Sequence, residues 1–165
     1  MKKLVSILFA FATVSFVILP IIHEAHAQSA EFSSLKTEFT GKGKCLDIVN
    51  DGKNDKLIMA PCANVTGQMW TRVSAADGSF KLKTEFTGKS KCLDIINDGK
   101  NNRLNMVQCE DVTGQTWKQV NAADGFFRLK TEFTGKGKCL DIINDGKNDQ
   151  LSMETCANVT GQMWK

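Results

Sequence analysis

The stretch "CLDIVNDGKNDKLIMAPC", Cys45 to Cys62, decides how this chain is read. It returns as "CLDIINDGKNNRLNMVQC" from Cys92 to Cys109, and as "CLDIINDGKNDQLSMETC" from Cys139 to Cys156. Cys45, Cys92 and Cys139 recur every 47 residues. Trp70, Trp117 and Trp164 keep the same interval, as do Leu35, Leu82 and Leu129. The chain is three ungapped tandem copies, roughly 35–81, 82–128 and 129–165, and a period of this kind outranks any local signal.

Within a copy the pattern is that of short strands. "FKLKTEF", Phe80 to Phe86, alternates and puts Phe80, Leu82 and Phe86 on one face. "CLDII" turns Leu93 and Ile95 one way and Asp94 the other. "NDGKNN" is strong turn chemistry, and "LNMVQC" brings Leu104 and Met106 back to the apolar side. "GQTWKQV" reads as a fourth strand, and "AADG", Ala122 to Gly125, turns into the next copy. No segment has a helical period. Twelve short strands in one open sheet would leave long unpaired edges, so a closed or three-fold architecture is expected. The chain stops one residue after Trp164, which predicts fraying of the last strand.

Six cysteines allow fifteen pairings. Three-fold repetition favours the pairing each copy can make with itself: Cys45–Cys62, Cys92–Cys109 and Cys139–Cys156. Each bridge would span the "NDG" turn, and closing a loop of this size stabilises by about 3 kcal/mol. The spacing lacks the close ligand pairs of structural zinc sites, so no metal is assigned to the cysteines. Asp47, Asp51 and Asp55 offer oxygens to Ca2+, yet no EF-hand loop pattern is present. No cofactor is implied.

The opening "MKKLVSILFAFATVSFVILP" has two lysines, an apolar run of about 16 residues and a proline, followed by "AHA" at residues 25–27. This predicts a signal peptide over 1–27, too short and too interrupted for a membrane anchor. Residues 28–165 would form one domain of the secreted protein, periplasmic or extracellular, with no membrane insertion. They carry 19 basic and 17 acidic residues, a balance that does not suggest nucleic acid as partner. Both histidines, His23 and His26, fall in the leader, and tyrosine is absent. Histidine-dependent bases and triads are thereby excluded, and the expectation is that the protein is no enzyme.

"CLDI", an Asn/Gly-rich turn, a second cysteine and then "GQMW", "GQTW" and "GQMW" together resemble the ricin B-type lectin family across about residues 31–165. The resemblance implies an all-β fold: a β-trefoil of three tandem four-strand repeats with pseudo-three-fold symmetry. It implies that Trp70, Trp117 and Trp164 pack in the core, and that Gln68, Gln115 and Gln162 bond to nearby backbone. It implies glycans or glycoproteins as partners.

In that family the aspartate after Cys-x accepts bonds from two sugar hydroxyls. An aromatic two residues before the second cysteine stacks on the ring, and an asparagine before the Gln-x-Trp glutamine completes the site. Here the aspartates are Asp47, Asp94 and Asp141, but the aromatic positions hold Ala60, Val107 and Glu154. The asparagine positions hold Gly67, Gly114 and Gly161. Turn residues Asn50, Asp51, Lys53, Asn54 and Asp55, with their equivalents in the other copies, are candidate replacements as polar contacts, Asn54, Asn101 and Asn148 foremost. Phe39, Phe86 and Phe133 recur in "TEFTGK" before the second strand and could edge toward the aspartate, while alternation puts Phe86 on the face of Leu82 and favours core packing. The leading expectation is a lectin with up to three weak, equivalent sites. The alternative is a trefoil that binds a protein partner, as an inhibitor, adhesion or toxin-accessory subunit.

Overall fold

The computed structural model describes residues 31–165. The expected signal peptide, 1–27, and the first residues of the domain expected from residue 28 lie outside the described residues.

Ten strands alternate with 3-10 turns: β1 Lys44–Ile48, β2 Leu57–Pro61, β3 Trp70–Ser74, β4 Phe80–Thr84, β5 Lys91–Ile95, β6 Leu104–Gln108, β7 Trp117–Asn121, β8 Phe127–Thr131, β9 Lys138–Ile142 and β10 Leu151–Thr155. The count differs from twelve at the two chain ends. There the first strand of copy one and the fourth strand of copy three are single bridges, Ser33 to Trp70 and Thr37 and Phe127 to Trp164.

Those bridges close a ring. Strands β3, β4, β7 and β8 form one antiparallel sheet. Trp164 and Phe127 exchange backbone bonds at 2.8 Å, as do Ser33 and Trp70. Lys36 and Lys165 exchange bonds at 3.0 and 2.9 Å. The expected fraying after Trp164 is therefore corrected: the segment near residue 36 covers that end. Closure removes the sheet edges that an open array would expose.

Three hairpins, β1–β2, β5–β6 and β9–β10, cap the ring. They meet around the pseudo-axis, where Met59 N–H donates to Asp149 C=O, Met106 N–H to Asp55 C=O and Met153 N–H to Asn102 C=O, each at 2.8 Å. The three methionines are buried there. Pleating explains the rest of the core. In β1 the side chains of Leu46 and Ile48 turn inward and Asp47 outward, and β5 and β9 repeat this. Leu35, Leu82 and Leu129 join them, with Phe80 and Phe127 at the rim. Arg72 lies over both rims, 4.9 Å from the Phe80 ring centroid and 4.7 Å from that of Phe127.

All three disulfides form within their own copies, as Cys45–Cys62, Cys92–Cys109 and Cys139–Cys156, with Cα–Cα distances of 4.9, 5.0 and 5.0 Å. One strand expectation needs correction. "GQTWKQV" does not enter as a strand from Gly114: Thr113–Gln115 is a 3-10 turn and β7 starts at Trp117. The turn is closed by Gln115 N–H, which donates to Val112 C=O at 3.1 Å.

Candidate functional site

Each repeat carries the same polar knot, built from three pieces of chain. Gln68 ends the 3-10 turn Thr66–Gln68 and is buried. Its Nε2 donates to Pro61 C=O at 3.0 Å and to Asp47 Oδ2 at 2.9 Å, while its Oε1 accepts Ala63 N–H at 2.8 Å. Gln115 bonds Gln108 C=O, Asp94 Oδ2 and Glu110 N–H in the same way. Gln162 bonds Thr155 C=O, Asp141 Oδ2 and Ala157 N–H. A buried amide left unpaired is costly, and here both donors and the acceptor are used.

The indoles belong to the core. Trp70 Nε1–H donates to Leu46 C=O at 2.8 Å; Trp117 and Trp164 donate to Leu93 and Leu140 C=O at 2.9 Å. All three are essentially inaccessible, which is where the resemblance put them.

The aspartates sit at the surface end of each knot. Besides the glutamine bond on Oδ2, Asp47 Oδ1 accepts the N–H of Ile48 at 2.7 Å; Asp94 and Asp141 accept from Ile95 and Ile142 at 2.7 and 2.8 Å. A carboxylate has roughly four acceptor sites, so about two remain per residue for a ligand. Burial, partly offset by the Gln162 and Ile142 bonds, raises the Asp141 carboxyl above its usual range, and the nearby Glu154 carboxylate pushes the same way.

Glycine is what lets each carboxylate lie there. A Cβ on Gly67 would stand 2.3 Å from Asp47 Oδ1, one on Gly114 2.1 Å from Asp94 Oδ1, and one on Gly161 2.3 Å from Asp141 Oδ1. The glycines at the family's asparagine position are thus occupied by the aspartate itself. An asparagine there would require the carboxylate to turn away.

Two clefts open beside these aspartates. In the first repeat Asp47, Asn50, Thr66, Gly67 and Phe86 line a cleft of about 230 Å³. In the third, Phe39, Asp141, Asn144, Glu154, Asn158 and Gly161 are among the residues lining one of about 630 Å³. Neither lining contains Asn54 or Asn148. Their turn faces another way: Asn54 N–H donates to Asp51 Oδ1, and Asn54 C=O accepts from Lys91 Nζ of the next repeat at 3.1 Å. Asn148 makes the equivalent bonds with Asp145 and Lys44, and Asn101 with Asp98 and Lys138. The structure therefore does not bring Asn54, Asn101 and Asn148 to the carboxylates. Their left-handed backbone, φ 52–54°, and the lysine clasp tie them to neighbouring repeats instead. Asn50 and Asn144, two residues beyond the ends of β1 and β9, line the clefts instead.

The phenylalanines fill both of the places that the sequence left open to them. Phe39, Phe86 and Phe133 are half-buried and pack against the core, as expected. But Phe86 also lines the cleft of Asp47, in the preceding repeat, and Phe39 lines that of Asp141. Backbone bonds fix the pairing: Phe86 N–H donates to Thr66 C=O, Phe133 N–H to Thr113 C=O and Phe39 N–H to Thr160 C=O, each at 3.2 Å.

Against known proteins, the family model described as the ricin-type beta-trefoil lectin domain matches residues 33–164. No curated protein sequence matches. Among solved structures, the designed three-fold symmetric protein ThreeFoil superposes with a TM-score of 0.68 at 26% identity, covering 82% of this chain and 96% of that one. The hemolytic lectin CEL-III gives 0.64 at 21% identity over 81% of this chain and 29% of its own. A Polyporus squamosus lectin, solved with a human-type influenza-binding epitope, gives 0.63 at 14% identity over 84% and 49%. The chain spans less than half the length of these last two.

Proposed function

This chain belongs to the ricin-type beta-trefoil lectin domain family, and on that premise we propose that it is an exported carbohydrate-binding protein with up to three weak sugar sites, at Asp47, Asp94 and Asp141. The observation that carries the reading is the state of those carboxylates. Each is oriented by its glutamine and the following amide, and Asp47 and Asp141 border clefts open to a ligand. Oriented acceptors are what a hydroxyl-bearing ring needs, because its donors are then met without reordering the protein.

The sites act by binding alone. Shallow sites of this size bind weakly one at a time, and a surface bearing many glycans gains affinity through effective concentration. The lysine-led apolar leader and three disulfides support export, since disulfides persist in oxidising compartments. The expected partners are glycans or glycoproteins.

One observation favours a protein partner instead: Val65 and Val159 border the same clefts and are each 45% exposed. A glycan array with the oxidised protein separates the readings. Binding that is lost when Asp47, Asp94 and Asp141 are changed together to alanine, with the fold retained by circular dichroism, supports the lectin. A blank array across plant, microbial and animal glycans overturns it in favour of the protein-binding reading.

A further inference from the structure

We propose that each sugar site is a composite of two adjacent repeats. The aspartate comes from one repeat and the aromatic wall from the next, in the pairs Asp47/Phe86, Asp94/Phe133 and Asp141/Phe39. This rests on the carbohydrate reading above and says how its sites are built.

Three observations carry it. First, no repeat has an aromatic of its own beside its aspartate: the expected positions hold Ala60, Val107 and Glu154. Second, the phenylalanine of the following repeat borders the cleft in the first and third sites. The backbone bond from Phe133 to Thr113 sets the second in the same register. Third, the ring is held in place. Its backbone is pinned to the turn that carries the site's glycine. The adjoining segment is tightened by Thr37, Thr84 and Thr131, whose Oγ1 accepts N–H from Thr40, Thr87 and Thr134 at 3.1–3.2 Å. A ring packed on the core along one side and bordering a cleft on the other is a pre-positioned apolar surface.

The geometry selects a ligand class. A pyranose with neighbouring hydroxyls toward the carboxylate would rest a C–H face against the phenyl ring. Glycine beside the aspartate leaves room for the carboxylate itself to form the floor.

The third site has a further property. Phe39 stands near the start of the described chain and Asp141 in its last repeat. They meet because the two segments pair: Glu38 N–H donates to Met163 C=O at 2.9 Å and Phe39 N–H to Thr160 C=O, beside the bonds exchanged by Lys36 and Lys165. This site exists only when the barrel is closed across the two ends of the chain, and a ligand bound there holds the closure shut.

The test is an NMR titration of the oxidised protein with galactose, glucose, mannose, N-acetylglucosamine and N-acetylgalactosamine in turn. The readouts are the amides of Ile48 and Gly67 for site one, and of Ile142 and Gly161 for site three. Phe86→Leu keeps most of the core volume and removes the ring. It is expected to weaken binding at Ile48 and Gly67 about fivefold to tenfold while leaving Ile142 and Gly161 unchanged. Phe39→Leu is expected to do the reverse, and Phe86→Tyr to restore site one. If the wild type binds but Phe86→Leu leaves site one unchanged, or weakens all sites alike, the composite site is wrong and the lectin reading stands. If no sugar moves any amide and the glycan array is also blank, both fall together.

Discussion

Gln68 Nε2 lies 2.9 Å from Asp47 Oδ2, across 21 residues of chain, and the same bond recurs as Gln115–Asp94 and Gln162–Asp141. One side chain thereby joins the strand that carries the candidate ligand-binding carboxylate to the loop after the disulfide and to the turn that opens the next strand. The bond that ties the loop together thus also orients the candidate ligand-binding carboxylate.

Gln68→Ala strips three bonds at once and leaves Pro61 C=O, Ala63 N–H and Asp47 Oδ2 short of partners. A loss of about 2–4 kcal/mol is expected in urea unfolding. Gln68→Glu keeps the shape but sets a second carboxylate against Asp47. Its destabilisation should shrink as pH is lowered and either acid is protonated, whereas that of the alanine variant should not.

Gly67→Ala has no backbone penalty from a left-handed φ, because Gly67 is absent from the positive-φ positions. The added methyl meets only Asp47 Oδ1 as a close contact. The carboxylate must turn, so ligand shifts at site one should disappear while the thermal midpoint falls by only a few degrees. Gly52→Ala is the opposite case. Its space is empty but its φ is +84°, so stability should drop by about 1 kcal/mol with site one intact.

Trp117→Phe removes the indole N–H bond to Leu93 C=O and leaves a void at a fully buried position. A cost of about 2–4 kcal/mol is expected by chemical denaturation. The glycan profile of the surviving folded fraction should be unchanged, because the indole touches no cleft.

Thiol titration of the denatured, unreduced protein should find none from the six cysteines. Replacing Cys92 and Cys109 together by alanine should lower stability by about 3 kcal/mol, and mass mapping of the remaining bridges should show no exchange between repeats.

Acid should act in two opposed ways. Backbone bonds from Asn54, Asn101 and Asn148, joined by Lys56 at Asp51 and Arg103 at Asp98, hold the carboxyls of Asp51, Asp98 and Asp145 below the ordinary 3.8. Their contribution is present above that value and fades as pH falls through their lower folded values. Asp141 is raised by burial, so its proton stabilises the fold in acid and its contribution is lost as pH climbs past its folded value. Lys81 lowers the Asp111 carboxyl as well, and urea midpoints from pH 7 to pH 2 should therefore fall most below about pH 4, where these four lowered carboxyls take up protons. Asp141→Asn should remove the opposing contribution and leave the low-pH fall in place.

Reading the chain alone reached a long way. A 47-residue period, period-2 alternation and repeated turn chemistry led to an all-β ring, and the repetition of cysteine pairs led to the three bridges found. These are local or translational patterns, and a sequence displays such patterns directly. The buried indoles and backbone-bonded glutamines followed from the family resemblance and were also found. What stayed hidden lies between repeats. Asn54 sits in the same polar turn as Asn50, and only the hairpin's path turns one toward Lys91 and the other toward the cleft. Alternation favoured the core for Phe86 and left a place beside the aspartate as the lesser alternative. Its second role beside Asp47 arises because the pairing of β3 with β4 lays Phe86 against the turn Thr66–Gln68 that precedes β3. Such contacts depend on how three equal units rotate about a common axis. That rotation is set by packing at the axis and by the bonds joining the chain ends, and no single repeat contains the information.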